Sequence, residues 1–174
     1  METTGTTKWN VDAAHSEVGF KVKHMMISTV KGAFEEFKAS IESENEDFQD
    51  ADFSFTAQVD SINTKNADRD KHLKSEDFFN ASEYPEMTFQ SSSYDGDKLV
   101  GDLTIKDITK EVTFDMDFNG IAEDQYGQTK AGFEISGKIN RKDFGLTWDA
   151  VTEAGSVVVA ETIRMAIDLQ FIKE

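Results

Sequence analysis

Residues 163–171 read IRMAIDLQF, and their side chains alternate between large apolar residues and polar or small ones. The apolar positions are Ile163, Met165, Ile167, Leu169 and Phe171. A period of two predicts a β-strand with one face against a core and the other face in water. Residues 112–118, VTFDMDF, repeat this alternation, and the apolar stripe of a helix fits neither segment.

Six further segments show the same alternation less regularly, so the sequence predicts eight strands. Five of them have their apolar or glycine positions at Val18, Phe20 and Val22; Phe53, Phe55, Ala57 and Val59; Met87 and Phe89; Leu99, Gly101, Leu103 and Ile105; and Phe133, Ile135, Gly137 and Ile139. The sixth, residues 32–41, needs a one-residue slip between Phe34 and Phe37, as a β-bulge provides.

Turn-forming sequences lie between the predicted strands, for example DGD at residues 95–97 and NG at residues 119–120. They predict short, hairpin-like connections. Residues 42–52, ESENEDFQDAD, carry six acids and no base, and we expect a solvated hairpin end there rather than a tail. Antiparallel strands with one apolar face each stack as a sandwich or close into a barrel. The pattern alone is compatible with both.

Length and composition restrict the function classes. The chain has 174 residues, which predicts a single domain over residues 1–174, with residues 1–7 as a loose N-terminal extension. Its 34 acidic and 18 basic residues give a formal net charge of −16, which repels nucleic acid and anionic lipid surfaces. Without cysteine, disulfides, thiolate catalysis and cysteine-based metal sites are excluded.

Targeting signals are absent from the sequence as it stands. No apolar run approaches the roughly 20 residues of a membrane-spanning helix, and the start METTGTTKWNVD lacks the basic and apolar regions of a secretory signal. We therefore expect no integral membrane segment and a cytoplasmic location. A periplasmic location is the alternative if a leader has been removed.

Residues 63–79, NTKNADRDKHLKSEDFF, interrupt the alternation between the third and fourth predicted strands. Asn66 is a suitable N-cap for a short helix that runs through Arg69 to Leu73, and Ser75 is suited to cap a second turn. We expect two helical turns that cross one end of the barrel. Connections of this length are usually functional or lid-like.

Several long motifs resemble one known family. Residues 61–91, SINTKNADRDKHLKSEDFFNASEYPEMTFQS, are similar to the signature of the YceI-like family of lipocalin-like polyisoprenoid-binding proteins. Further family motifs follow in order at residues 12–37, 101–113 (GDLTIKDITKEVT) and 139–148 (INRKDFGLTW). The resemblance covers residues 9–172. The family commonly has a glycine where this chain has Asp107 and a proline where it has Glu111, and we expect Asp107 to tolerate a left-handed turn.

The resemblance implies an all-β fold, an extended eight-stranded antiparallel lipocalin-like barrel with a short helical segment between strands three and four. It also implies non-enzymatic binding, transport or storage of a long amphipathic lipid, typically a polyisoprenoid or isoprenoid quinone, inside the barrel pore. The expected partner is therefore an amphipathic isoprenoid or fatty-chain lipid. Phenylalanine and methionine supply a deformable lining for such a chain. The family is often dimeric, so a homodimer is an expected possibility, and the resemblance implies no cofactor.

Two groups of residues are predicted to form the binding site. The pore lining is expected to include Phe20, Val22, Phe34, Phe55, Met87, Phe89, Leu103, Ile105, Phe114, Met116, Phe133, Ile135, Met165 and Ile167. The mouth and lid are expected to include Met25, Met26, Arg69, His72, Leu73, Phe78 and Phe79. Ordinary core packing is the alternative for each pore residue. For Arg69 and Asp70 the alternatives are a structural ion pair or cap and contact with a ligand head group, and Arg141 with Asp143 is expected to close another corner.

Catalytic and metal sites have weaker support. A hydrolase would use His15 with Ser16 and Asp12, or His72 with Asp70, but neighbours on a strand point apart and spacing does not show a dyad. His15, His24 and His72 have no helical ligand spacing for a metal. We expect no catalytic or metal site. The rival functions are an enzyme acting on such lipids and a stress-related structural module with a protein partner.

Overall fold

The computed structural model describes residues 6–24, 27–146 and 159–174, which contain one antiparallel sheet and one short α-helix. The strand segments are β1 (Thr7–Val11), β2 (Glu17–His24), β3 (Ser28–Phe34), β4 (Phe37–Ser43), β5 (Asp52–Gln58), β6 (Ile62–Asn63), β7 (Glu86–Tyr94), β8 (Lys98–Ile105), β9 (Ile108–Glu123), β10 (Thr129–Asn140) and β11 (Val159–Lys173). The helix α1 spans Ala67–Lys74. Within these ranges no helix has the length and apolar character needed to cross a membrane.

The eleven described segments form eight strands, because the first three strands of the barrel are each interrupted. A 3-10 turn at Ala13–His15 separates β1 from β2, and both segments pair with β11. A bend separates β3 from β4, and a 3-10 turn at Val59–Ser61 separates β5 from β6. β4 pairs with β1 and β5, while β3 pairs with β2 and β6.

The remaining strands pair in chain order, β5 with β7 and onward to β11, and the pairing of β11 with β1 and β2 closes the barrel. The predicted eight-stranded antiparallel barrel is therefore confirmed, with α1 between its third and fourth strands. The slip expected between Phe34 and Phe37 coincides with the bend between β3 and β4. Closure removes the unpaired edges that an open sheet would expose.

Two glycines let aromatic rings lie flat on the inner face of the sheet. A Cβ at Gly137 would overlap the Phe114 ring on the neighbouring strand β9, and a Cβ at Gly101 would overlap the Phe89 ring on β7. The alternation predicts that both glycines face the interior of the barrel. The space that a side chain would take at each glycine is filled by the ring from the neighbouring strand.

One end of the barrel is filled by aromatic side chains. This aromatic cluster consists of Trp9, Phe48, Phe53, Tyr94, Phe118, Phe133 and Phe171. Phe48 is fully buried at its centre, with ring centroids 5.3 Å from Trp9, 5.0 Å from Phe118 and 5.1 Å from Phe133. Phe48 comes from the acidic hairpin end between β4 and β5. The acids there are exposed as expected, but the loop also inserts a core residue.

Two details of the backbone differ from the sequence-based expectations. In the two-residue turn between β8 and β9 the left-handed residue is Lys106, with φ 59°, rather than Asp107. Strand β1 begins at Thr7, inside the stretch expected to be a loose extension, and residues 1–5 of that stretch lie outside the described residues. β1 is held because it pairs with both β4 and β11.

Candidate functional site

A cavity of about 500 Å³ occupies the barrel between the aromatic cluster and α1. Its floor includes Phe53 and Phe171 of the cluster, and its opposite end includes Arg69, His72 and Leu73 of α1. All eight strands contribute apolar side chains to the wall. The volume falls in the range of roughly 300–1,000 Å³ that is usual for small-molecule pockets.

Most of the predicted pore residues lie on the cavity wall. They are Phe20, Val22, Phe34, Phe55, Met87, Phe89, Leu103, Ile105, Phe114, Ile135, Met165 and Ile167. Phe20 and Phe34 form one aromatic contact, with centroids 5.7 Å apart, and Phe89 and Phe114 form another at 5.8 Å. The wall therefore combines large rings with aliphatic side chains. Contact of these residues with a ligand stays a prediction.

Met116 and Phe133 are not on the described cavity wall, and their assignment to the pore is corrected here. Met116 is 0% exposed and Phe133 is 1% exposed. Each lies two residues nearer the closed end than a wall residue on the same strand, namely Phe114 on β9 and Ile135 on β10. At that depth Phe48 fills the interior, so these side chains pack in the core.

The wall also contains residues that the sequence analysis did not select. They include Val18, Val30, Ala39, Phe53, Ile62, Leu99, Ile139, Leu146, Val159, Ile163, Leu169 and Phe171. Several, such as Val18, Leu99 and Leu169, lie on the same alternating faces as the selected residues. The sequence pattern therefore predicts that their side chains point into the barrel. Leu146 follows the 3-10 turn at Arg141–Phe144 and carries no such pattern.

The lid segment, residues 63–79, covers the other end of the cavity and is anchored at Thr64. The Asn66 side chain accepts a hydrogen bond from the Arg69 amide at 3.0 Å, which confirms the predicted N-cap of α1. Asp70 accepts bonds from the Thr64 amide and hydroxyl, at 2.9 and 2.5 Å. Arg69 donates from Nε to the Thr64 hydroxyl at 2.8 Å and from a terminal nitrogen to the Thr64 carbonyl at 2.5 Å.

Arg69 and Asp70 therefore act through Thr64 and not as a direct ion pair. Within the described ranges no carboxylate lies within 4.0 Å of the Arg69 guanidinium. Thr64 is only 2% exposed, so its satisfied hydroxyl and backbone groups fix the start of the lid. Of the two structural alternatives, the described residues show bracing of the lid through Thr64 and not a direct ion pair, and contact with a ligand head group stays a prediction.

The apolar lid residues Leu73, Phe78 and Phe79 all line the cavity. Phe78 is 5% exposed, and the Phe79 ring meets Phe34 edge to face with centroids 6.0 Å apart. Instead of a second helix, Ser75 begins a set of turns, and its hydroxyl donates to the His72 carbonyl at 2.5 Å. Met25 and Met26, the other predicted mouth residues, lie outside the described residues.

Arg141 closes a second corner at the mouth. It is 2% exposed and lines the cavity, and its guanidinium donates to the carbonyls of Ala160 (2.9 Å), Leu146 (2.6 Å) and Val159 (3.2 Å). These bonds tie the turn after β10 to the start of β11. Asp143, its expected partner, is exposed.

The candidate catalytic groups do not assemble as a triad would require. His15 Nδ1 lies 2.8 Å from Asp12, while the Ser16 hydroxyl donates to the Asp12 carbonyl at 2.7 Å. Burial opposes ionisation of Asp12, but hydrogen bonds from Lys130 and His15 outweigh it, so the pKa of this carboxyl lies below its usual value. This arrangement stabilises a charged surface carboxylate and leaves no base on Ser16 within the residues described.

His72 binds Asp77, at 2.8 Å, and not Asp70. A search of the described residues for three or more histidine, aspartate or glutamate side chains able to share a metal ion finds no such group. The described hydrogen bonds thus join each of these histidines to a carboxylate, Asp12 for His15 and Asp77 for His72.

Known proteins share both the sequence and the barrel. Residues 9–171 match the model of the YceI-like domain. UPF0312 protein SA2479 of Staphylococcus aureus (strain N315) is 40% identical over 166 residues, covering 95% of this chain and 97% of that protein.

Two solved structures show the same architecture. Burkholderia cenocepacia BcnA superposes with a TM-score of 0.74 at 25% identity, covering 92% of this chain and 98% of that one. A polyisoprenoid binding domain from Saccharophagus degradans, implicated in plant cell wall breakdown, superposes with a TM-score of 0.73 at 13% identity, covering 95% and 98% of the two chains. The second likeness bears on the fold alone. With the match to the domain model and the 40% identical relative, these findings show that this chain belongs to the YceI-like domain family.

Proposed function

We propose that this protein binds, transports or stores a long amphipathic lipid inside its barrel, with a polyisoprenoid or isoprenoid quinone as the first ligand class to test. The observation that carries the proposal is the apolar cavity of about 500 Å³, closed at one end by the aromatic cluster and covered at the other by the lid segment. An apolar chain fits the wall, and a polar end fits the mouth.

Burial of an apolar chain supplies the driving force. Each methylene removed from water contributes roughly 0.8 kcal/mol, so a chain of ten buried carbons gains several kcal/mol beyond the cost of ordering it. Aromatic and methionine side chains adapt to branched or straight chains. Affinity should therefore depend on the length of apolar chain that is buried more than on the exact structure of that chain. The aromatic cluster at the closed end limits how far the chain can enter.

We choose isoprenoids as the first ligand class to test because of the family to which the chain belongs and because of one solved structure with the same fold. The Saccharophagus degradans domain is described as polyisoprenoid binding, and membership of the YceI-like family makes that class the natural starting point. At 13% identity that domain supports the shape of the site and not its specificity. Straight-chain lipids are therefore the necessary comparison.

The same proposal holds that the ligand leaves unchanged. His15 and Asp12 form a pair outside the cavity wall, and the cavity-lining His72 is engaged by Asp77. The rival is an enzyme that modifies the lipid. It predicts turnover of a loaded isoprenoid that disappears in His72→Ala while the fold is retained, whereas our proposal predicts recovery of the same molecule over repeated cycles of loading and extraction.

Extraction of the gently purified protein with organic solvent, followed by mass spectrometry, tests the proposal directly. We expect a long-chain lipid in the extract, or uptake of a prenylquinone by the emptied protein at a ratio near one. If the extract holds no lipid and neither a prenylquinone nor a fatty acid is taken up, the proposal is wrong.

A matched pair of variants on β8 locates the binding. Leu103 faces the cavity, and its neighbour Asp102 is exposed on the outer face. Leu103→Trp should place a larger ring in the cavity and lower prenylquinone uptake at least about tenfold, while Asp102→Trp should bind as the wild type does. Circular dichroism on both variants checks that the barrel is intact. Equal uptake by the two would place the ligand outside the barrel.

A further inference from the structure

Strands β9 and β10 separate before either of them ends. Their described pairing stops at Asp115 and Ser136. Residues 108–114 of β9 and 137–140 of β10 remain paired on their other sides, with β8 and β11. In the described sheet these two stretches are not paired with each other, although they are neighbours in the barrel wall. We call the interval between them the seam.

The backbone groups that face the seam lack strand partners. The Met116 amide donates to the Asp97 carbonyl on the β8 side at 2.9 Å, so the even-numbered residues of this part of β9 turn their backbone groups toward β8. Thr109, Glu111 and Thr113 turn theirs toward the seam. All three residues are exposed, so water can satisfy these groups. Widening the seam therefore breaks no ladder hydrogen bond of the described sheet.

A second cavity, of about 220 Å³, lies in the seam. Its lining combines charged or polar side chains with three apolar ones, Val112, Ile139 and Phe144. Ile139 also lines the main cavity inside the barrel. Beside it Phe114 lines the main cavity, and its ring lies against Gly137 at the edge of the seam. Apolar side chains alone thus separate the two cavities at Ile139.

The turn that follows β10 closes the seam at its upper end. Phe144, in this turn, is 2% exposed and lines the seam cavity. Lys106 Nζ donates to the Gly145 carbonyl at 3.5 Å, and a Cβ at Gly145 would lie 3.1 Å from Ile108 Cδ1. The turn therefore packs against the hairpin between β8 and β9. The seam is a bounded gap in the wall that side chains fill.

The lid segment is held more firmly than the seam. Lifting α1 from the mouth would break the hydrogen bonds that Arg69 and Asp70 make with Thr64, which is 2% exposed. Buried polar groups that lose their partners carry a full desolvation penalty. Opening the seam displaces packed apolar side chains instead, and an apolar ligand that passes between them replaces the contacts that they lose.

We infer that a lipid enters and leaves the cavity sideways, through the seam between β9 and β10, with Ile139 and Phe144 as the side chains that move. This inference rests on the proposed lipid binding and adds the route to the same cavity. The mouth stays covered by the lid segment during exchange. A loosened lid would add a second route at the mouth.

A cross-link across the seam tests the route. The chain has no cysteine, so introduced thiols react alone. Thr113→Cys with Lys138→Cys places one exposed thiol on each edge, and a short bismaleimide then limits their separation. We expect prenylquinone uptake and release to slow by about tenfold or more, with the amount bound at equilibrium unchanged. The same double variant treated with N-ethylmaleimide, which modifies both thiols without linking them, should exchange at the wild-type rate.

A matched pair of positions on paired strands controls for the cross-link itself. Gln90→Cys with Asp102→Cys places two exposed thiols opposite each other on β7 and β8. The bismaleimide should leave the exchange rate of this protein unchanged, because the two strands are already joined by ladder hydrogen bonds.

A smaller side chain in the seam should have the opposite effect. Val112→Ala removes part of the apolar filling and should speed prenylquinone exchange by at least about twofold. Val100→Ala is the matched control, since Val100 is also half-buried but lies on β8, which pairs with both of its neighbours there. Its exchange rate should equal that of the wild type.

The inference and the proposed function fail differently. An unchanged exchange rate after cross-linking of the Thr113→Cys, Lys138→Cys protein would exclude the seam as the route and leave lipid binding intact. Hydrogen exchange of the Thr109, Glu111 and Thr113 amides as slow as that of the even-numbered residues between them would show a paired seam and overturn the inference as well. If the unlinked protein takes up neither a prenylquinone nor a fatty acid, lipid binding itself is wrong.

Discussion

The two ends of this barrel are built from the same strands with the same alternation, yet one is solid and the other is hollow. At the closed end Phe48 contacts Trp9, Phe118 and Phe133 with centroids 5.0–5.3 Å apart. Toward the mouth Phe20, Phe34, Phe89 and Phe114 line an open space instead. Part of the difference comes from Phe48, which the hairpin between β4 and β5 inserts among strand residues such as Phe118 and Phe133.

Charge separates the same two ends. Tyr94, at the closed end, is fully buried, and its pKa is raised by burial first and then by the nearby carboxylates of Asp117, Asp95, Asp97 and Asp47. The mouth carries the basic side chains. Carboxylates therefore lie near the Tyr94 phenol at the closed end, while the basic side chains of the cavity wall lie nearer the mouth.

The largest effect is expected from arginine substitutions on β9. Two inward residues of this strand lie on either side of the boundary between the cavity and the packed end of the barrel. Met116→Arg would bury a charge in the packed end, at a cost of several kcal/mol against a total stability of roughly 5–15 kcal/mol, and we expect it to unfold the protein. Phe114→Arg can extend its guanidinium into the cavity, so it should fold and lose prenylquinone uptake. Circular dichroism and uptake assays distinguish them. A folded, binding-competent Met116→Arg would show that the boundary is misplaced.

Truncation of one ring at each end gives the next largest contrast. Phe48→Ala should lower the free energy of unfolding by about 3–5 kcal/mol, the usual cost of removing a buried phenylalanine. Phe55→Ala should cost clearly less, because Phe55 is half-buried and already faces empty space. Chemical denaturation of the two variants measures the difference. Equal losses would mean that the cavity wall is as tightly packed as the aromatic cluster.

Loosening the lid should have a smaller and local effect. Thr64→Val removes the hydroxyl that joins Arg69 to Asp70 and leaves the partners of a buried group unsatisfied, at about 1–3 kcal/mol. We expect faster hydrogen exchange in residues 63–79 and faster release of a loaded prenylquinone, with the strand amides protected as in the wild type. Ser61→Ala, whose hydroxyl bonds the Gln58 carbonyl away from α1, is the matched control. Unchanged release would mean that the lid does not control access.

The smallest effect concerns the ionisation of Tyr94. Because its folded-state pKa is raised above the ordinary value near 10, its contribution to stability is present below pH 10 and is lost as the pH rises through the folded-state pKa. Ultraviolet absorbance titration should show a late-ionising phenol that is missing in Tyr94→Phe and moves to the ordinary range in denaturant. Ionisation of that phenol at its ordinary pH in the folded protein would contradict the burial of the closed end.

Sequence patterns predicted much of the fold and part of the site. Alternation identified the eight strands and the inward direction of residues such as Phe114 and Met116, and Asn66 correctly predicted the start of α1. Alternation shows which face of a strand points inward, but it does not show how far along the barrel axis a residue lies. That position decides whether an inward side chain lines the cavity or packs in the core, even for two residues only two positions apart. Phe48 was missed because its acidic neighbours predict a solvated loop, and a single apolar residue in such a run has no periodic signal.

By itself the sequence determined the eight alternating segments, the short connections between most of them and the helical start of the lid at Asn66, while the family resemblance, and not the alternation, favoured a barrel over a sandwich. These features depend on local periodicity, capping and turn chemistry, which neighbouring residues specify. Only the tertiary structure decided which end is filled, that Arg69 and Asp70 meet through Thr64, and that the basic side chains gather at the mouth. Those relations join residues far apart in the chain, such as Phe48 with Phe133 and Lys23 with Arg141, and closure of the barrel is what brings them together.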